Sequence, residues 1–379
     1  MLEGASISNS SPISTPRESV TETVPPHRSH DPNNNRKRAD PFKFGSRYLE
    51  KNDNVFEFNA WDHVIPDSSH YEYAESQYEL QRASPVSDFD KKRFNDRPEK
   101  WWNNFYSNNT GNFFKDRKWL HQEFPILSQL TKAESPPTVV LEVGAGAGNT
   151  AFPILRLNEN PQFVLHACDF SSKAVELIQA NEAYDPDHVI ASVWDIAGGD
   201  LPEGLSEESV DVVLLIFIFS ALSPGQWDQA VRNVWTVLKP GGEICFRDYG
   251  KGDLTQVRFK KGRLLEENFY VRGDGTRVYF FEEEELRSIW KGATRVYRST
   301  SPDSKTLGGQ ETTTTEEIVS EAFDQHSDAS TMQLPEGGFD ILSLGVDHRM
   351  LVNRRKQLKM YRCWIQGRFK KPNIERMPP

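Results

Sequence analysis

Cysteine is nearly missing from this chain of 379 residues. The three present, Cys168, Cys245 and Cys363, stand far apart in apolar stretches without Cys-x-x-Cys spacing, a pattern that argues for buried, reduced thiols and against a disulfide framework or a zinc site. Long hydrophobic runs are missing too. The longest, residues 212–219, holds eight apolar residues before Ser220, against the ~20 a membrane-spanning helix needs, so no membrane partner is expected. The first twenty residues have neither a basic nor an apolar leader region and carry Glu3 and Glu18, so they read as neither a secretory nor a transit signal, and the protein reads as cytosolic or nuclear. Positive charge is not in excess: 45 Lys and Arg face 55 Asp and Glu. That sum disfavours a polyanionic partner only if the charge is evenly spread, because nucleic acid responds to local patches.

The charge is not evenly spread. Residues 346–379 carry ten Lys or Arg and two acidic residues, whereas 299–338 carry one Lys and eight acidic residues among Thr, Ser and Gly. The first stretch is a candidate for phosphate contacts, and the second reads as a solvated loop. With only 37% hydrophobic residues overall, part of the chain is expected to lie outside any core. The organisation expected is a disordered tail at 1–40, an aromatic-rich module at 41–132, a larger domain at 133–292, an acidic flexible insertion at 293–338, and closing strands with a basic tail at 339–379.

Within 133–292 the pattern alternates. Strands are expected at 138–143, 163–169, 189–194, 210–219 and 243–247, with helices near 150–157, 172–180 and 226–238. Five strands with helical crossovers imply an α/β, doubly wound, mostly parallel sheet. A hairpin turns at Gly273-Asp274-Gly275, a Glu-led helix follows at 282–291, and 339–345 and 360–369 read as closing antiparallel strands, for seven in all.

The segment LEVGAGAGNT ends the first strand and turns through Gly144, Gly146 and Gly148 into a helix. Such a turn brings backbone N–H groups close to a ligand. It departs from the G-x-G-x-x-G dinucleotide fingerprint, with Asn149 in the sixth place. Asp169 ends the second strand, where a carboxylate can accept both hydroxyls of a ribose, and Asp195 ends the third, where it can receive an adenine amino group. Each Asp alone is as readily a helix cap or loop acid. Together, on successive strand ends behind a Gly-rich turn, they are the layout of S-adenosylmethionine binding.

The chain resembles the methyltransferase-like enzymes that make 3-methylcytidine in the tRNA anticodon loop. The resemblance rests on FGSRYLE, FEFNAWDHV, WWNNFYSNNTGNFFKDRKWLHQEFP, LEVGAGAGNT, ACDFSSKAVE, VDVVLLIFIFSAL, VLKPGGEICFRDYG, ENFYVRGDGTRVYFF and VNRRKQLKMYRCWIQGRFKKP. FGSRYLE and FEFNAWDHV resemble the branch acting on threonine tRNAs, some fungal members of which also act on serine tRNAs. The resemblance implies a class I Rossmann-like methyltransferase fold and S-adenosylmethionine as cofactor. It implies cofactor contacts at Trp102, Tyr106, Gly144, Asp169, Asp195, Ile196 and Ile216, with Gly146 in the same turn. Trp102 and Tyr106, four apart, share one helical face, and the family makes them a lid over the cofactor. It further implies modification at position 32, a cytoplasmic setting, and the tRNA anticodon stem-loop as partner, with an aminoacyl-tRNA synthetase or accessory tRNA-binding protein as a further candidate.

Cytosine N3 already carries a lone pair, so its methylation needs alignment more than proton removal. Asp248, at the end of the fifth strand, is the candidate carboxylate for the developing cationic charge. Lys115, Arg117 and Lys118, interleaved with Phe113, Phe114 and Trp119, offer phosphate contacts beside stacking surfaces, and Arg247, Arg349, Arg354, Arg355 and Lys356 are candidates to track the stem. Two other readings stay open at this point: a protein or small-molecule methyltransferase on the same cofactor fold, and a non-catalytic RNA-binding scaffold.

Overall fold

The computed structural model describes residues 47–109, 111, 113–292, 334 and 337–373. The tail at 1–40 and nearly all of the acidic segment 293–338 lie outside the described residues. In chain order the strands are β1 (Ala60–Asp62), β2 (Thr138–Val143), β3 (Phe163–Asp169), β4 (Val189–Val193), β5 (Val210–Ile216), β6 (Leu238–Tyr249), β7 (Leu264–Glu266), β8 (Phe269–Val271), β9 (Arg277–Tyr279), β10 (Asp340–Asn353) and β11 (Leu358–Lys370).

Eight of them form one sheet in the order β1-β10-β11-β6-β5-β2-β3-β4, and β7-β8-β9 form a small separate sheet. Strands β2 to β6 pair in parallel, while β6-β11, β11-β10 and β10-β1 pair antiparallel. Strands such as VDVVLLI are almost continuously apolar because helices cover both faces of a parallel sheet. Alternation then divides them: Val140, Val212 and Leu214 join one core layer, and Leu141, Val213 and Leu215 the other. The first layer is closed by the helix Ser172–Gln179, which presents Val175 and Ile178 and starts on Ser171, whose hydroxyl accepts the Ala174 N–H. The second is closed by Trp227–Val237, which buries Trp227, Val231 and Val234. All three cysteines are free and buried.

The chain leaves β2 toward β3 and β4 on one side and returns to β5 and β6 on the other, so the strand order reverses between β2 and β5. Ligands of open α/β sheets bind beyond the carboxyl ends of strands at that reversal.

The expectation of seven strands is corrected to eight. The N-terminal module does not merely sit on the domain; it adds β1 to the sheet edge, with Ala60 opposite Leu351 and Asp62 opposite Arg349. Three residues are too short to show alternation, and their partner edge exists only because β10 runs well past the expected 339–345. Trp61 anchors β1. It is 1% exposed, packs with Met350, Val352 and Tyr361, and donates its Nε1–H to the Val55 carbonyl at 2.8 Å.

Replacing Trp61 with Ala therefore costs about 3–5 kcal/mol of unfolding free energy, measured by urea denaturation. A loss below about 1 kcal/mol would show that β1 contributes nothing to the fold.

Candidate active site

At the reversal point a cavity with about 820 Å³ of space opens between the strand ends and the N-terminal helices. Its floor is the turn after β2. Gly144 has φ 67° and Gly146 has φ 59°, conformations that L side chains rarely adopt. A Cβ on Gly146 would stand 2.6 Å from the Tyr106 hydroxyl, and one on Gly144 would stand 2.8 Å from Ile218 Cγ1. The turn is therefore narrow by construction.

Asp169 fixes the turn. Its Oδ2 accepts the Gly146 N–H at 2.8 Å and its Oδ1 accepts the Ser171 N–H at 2.8 Å. Burial pushes this carboxyl up to about 6, against the pull of those two N–H donors. Asp195 lines the cavity with one oxygen held by the Ala197 N–H at 2.9 Å. The loop that carries it is pinned by Asn233, whose Nδ2 donates to the carbonyls of Ile196 and Gly198 at 2.7 and 2.8 Å.

The roof is the helix Pro98–Asn109. Its Trp102 and Tyr106 both line the cavity, with ring centroids 6.2 Å apart and planes at 28°. The helix is tied to the β3 end through Asn103, whose Oδ1 accepts the Ser171 hydroxyl at 2.8 Å. The far wall is Phe217, at φ 61°, together with Ile218. A bulky residue held in the left-handed region is strained, and Phe217 with this backbone lines the cavity. Arg117 completes the wall. Its Nη1 donates to the Thr150 hydroxyl at 2.6 Å and lies 3.8 Å from Glu142 Oε1. Burial pushes the Glu142 carboxyl up to about 7, with Arg117 opposing.

Residues 141–244 match a family model described as a methyltransferase domain. The tRNA N(3)-methylcytidine methyltransferase trm140 of Schizosaccharomyces pombe is 43% identical over 328 residues, covering 86% of this chain and 92% of that protein. This chain belongs to the tRNA N(3)-methylcytidine methyltransferase family. The tRNA(Thr) (cytosine(32)-N(3))-methyltransferase of Saccharomyces cerevisiae is 47% identical over 334 residues, 88% of this chain. This chain spans only 46% of that relative's length. The human tRNA N(3)-cytidine methyltransferase METTL2B is 32% identical over 398 residues, covering 87% of this chain and 94% of the relative.

The donor set of this methyltransferase fits S-adenosylmethionine. Its lining offers two carboxylates that could accept hydroxyl or amino donors, glycines that let the backbone approach, and two rings with faces for a cation. Of the expected contacts, Trp102, Tyr106, Gly144, Gly146, Asp169, Asp195 and Ile196 all line the one cavity.

Other expectations need correction. Ile216 is buried in a core layer beneath the floor, and the residues after it, Phe217 and Ile218, form the wall; the reversed φ at Phe217 displaces the wall by one residue. Asp248 is 0% exposed and does not line the cavity. Its oxygens accept the Ser220 and Tyr249 N–H groups at 2.9 and 2.8 Å, so it staples the segment after β5 and does not face a substrate. Arg247 is 2% exposed and cannot track a nucleic-acid stem. It pairs with Asp347 at 2.7 Å, bonds Gln366, and lies between the Trp119 and Trp364 rings. Arg349 is partly buried against Asp62 at 3.2 Å, and Arg117 belongs to the cavity wall. Lys115, Lys118, Arg354, Arg355 and Lys356 are exposed. Sequence reasoning does not find Trp194, Phe217, Ile218 or Arg277 as lining residues; the RGDGTR string contains Arg277, but nothing local shows that the hairpin folds back over the strand ends.

The Asp169 value sets opposite pH dependences. Its folded-state value, about 6, exceeds the ordinary 3.8, so this group stabilises the ligand-free fold as pH falls through that window. With Asp169 as the expected acceptor of the ribose hydroxyls, which its ionised form binds better, S-adenosylmethionine affinity is expected to drop below pH 6, by up to about tenfold per unit. Calorimetric titration from pH 7.5 to 5 checks this, with Asp169→Asn weak and flat throughout. A flat profile in the unaltered protein would remove Asp169 from the donor site.

Proposed function

We propose that this methyltransferase transfers a methyl group to N3 of cytidine 32 in the anticodon loop of threonine tRNAs, with serine tRNAs as further substrates. The observation that carries this reading is the joining of the donor residues Trp102, Tyr106, Asp169 and Asp195 with Phe217 and Arg117 in one open cavity. The last two offer a ring and a guanidinium to an unpaired base. Of the relatives that match most of the chain, one is named for cytosine 32 of tRNA(Thr) and another for tRNA N(3)-methylcytidine.

When bound, S-adenosylmethionine supplies an electrophilic methyl on a sulfonium. The chain's own residues supply position and dryness. Asp169 and Asp195 fix the adenosine end, Trp102 and Tyr106 roof the cavity and exclude water, and Phe217 gives a planar surface on which a pyrimidine can stack. N3 of neutral cytosine needs no base to expose its lone pair, so alignment accounts for most of the rate enhancement. The target edge is the pairing edge of the base, and a loop nucleotide avoids most of the unpairing cost.

In this reading residues 41–132 form the lid and the RNA-binding module. Lys115 and Lys118 flank cavity-lining Phe114 and Arg117 and meet loop phosphates, while Arg354, Arg355 and Lys356, at the exposed turn between β10 and β11, meet the stem. No helix among the described residues is long and apolar enough to cross a membrane. A cytoplasmic setting, and an aminoacyl-tRNA synthetase or accessory tRNA-binding protein as further partner, belong to the same proposal.

Purified protein with methyl-labelled cofactor and threonine tRNA will yield 3-methylcytidine at position 32; label at another nucleoside, or on protein, rejects the substrate. Reversing charge with Arg354→Glu and Arg355→Glu will weaken tRNA binding and lower its salt slope by about 2 without changing cofactor affinity. An unaltered slope rejects the hairpin contact.

A further inference from the structure

Two arginines line the donor cavity, and they are held differently. Arg117 has Glu142 at 3.8 Å. Arg277, 4% exposed, has no carboxylate within ion-pair distance among the described residues. Its Nη1 donates to Asn95 Oδ1 at 3.0 Å, and its Nη2 donates to the Ala221 carbonyl at 3.2 Å and to Gln226 Oε1 at 3.1 Å. All three acceptors are neutral. They also come from two separate parts of the chain: Asn95 lies on the helix Asp88–Asp96 of the N-terminal module, whereas Ala221 and Gln226 belong to the cavity wall beyond β5.

A guanidinium in a dry site with neutral acceptors keeps an uncompensated charge. Asp195, the proposed acceptor at the adenine end, lines the same cavity, and its carboxylate opposes the burial that disfavours the Arg277 charge. The same hairpin also carries the roof. At Gly275, φ 86°, a Cβ would lie 2.2 Å from Trp101 Cε3, so the Trp101 indole rests directly on the turn, and the next residue of that helix is cavity-lining Trp102. Both N-terminal helices next to the cavity, Asp88–Asp96 and Pro98–Asn109, thus dock on the β8-β9 hairpin, one through Asn95 and the other through Trp101.

We infer that Arg277 is a positioning residue that couples occupancy of the adenine end of the donor site to docking of the lid helices, an inference that rests on the cofactor reading above. An adenine amino group bound to Asp195 removes water from that carboxylate and strengthens its attraction to Arg277. Arg277 in turn holds Asn95, and with it the helix leading into the roof. Donor binding and lid docking then favour each other by the same factor in both directions.

The test uses the full chain with Arg277→Gln, Arg277→Lys and Asn95→Ala. It reads S-adenosylmethionine affinity by calorimetry and hydrogen exchange over residues 88–109 with and without S-adenosylmethionine. Arg277→Gln will weaken binding about tenfold or more and abolish the donor-induced protection of 88–109. Arg277→Lys, with the charge but not the fork, will fall between. Asn95→Ala will weaken binding about threefold and will add nothing to Arg277→Gln in the double variant. Additive losses, or a lid that responds to the donor normally in Arg277→Gln, would overturn the inference. Should that variant not fold, unchanged affinity and exchange in Asn95→Ala would overturn it alone. Neither readout involves tRNA, so a wrong RNA substrate would leave this result standing.

Discussion

A dehydrated carboxylate organises the site. Asp169 sits at the end of β3 with one oxygen on the Gly146 N–H and the other on the Ser171 N–H, joining the turn after β2 to the start of the next helix. Ser171 in turn donates to Asn103 of the roof helix. Floor, strand end and roof are therefore connected through one carboxyl group and its immediate neighbours. Burial raises that group's titration range against the pull of its two N–H donors.

Buried charge plays a second, purely structural part in the antiparallel half of the sheet. Asp347 on β10 takes Arg247 from β6 at 2.7 Å and His63, just after β1, at 3.2 Å. Gln366 on β11 bonds Arg247 and donates to Glu123 at 2.9 Å. This network fastens the N-terminal module to the antiparallel half of the sheet through His63 and Glu123.

The parallel half of the fold was legible in the sequence because its signals are local. Apolar runs of five to seven residues and the Gly-rich turn state their structure within a few positions, and β2 and β3 fall where periodicity places them. Gly146, Asp169 and Asp195 were placed from their local positions at the turn and at strand ends, whereas Trp102 and Tyr106 were placed by the family resemblance, and all five line one cavity. What was not legible depends on distant partners. Nothing near Arg247 distinguishes a phosphate ligand from a buried ion pair, because Asp347 and Gln366 lie 100 and 119 residues away. Asp248 looks like a site acid until the Ser220 N–H is seen to occupy it. Phe217, not Ile216, forms the wall because of a backbone reversal that no side-chain pattern encodes. Arg277 reaches the cavity only through the fold-back of a three-stranded sheet whose strands have three residues each.

In the proposed mode of binding, a methyl donor lies across the ends of β2, β3 and β4 beneath the aromatic roof. A crystal structure of the complex with S-adenosylhomocysteine tests it most directly. The account requires the ribose on Asp169, the adenine amino group on Asp195, and Trp102 and Tyr106 closing over the ligand. A ligand bound elsewhere, or bound here with Asp169 making no contact to it, would contradict it.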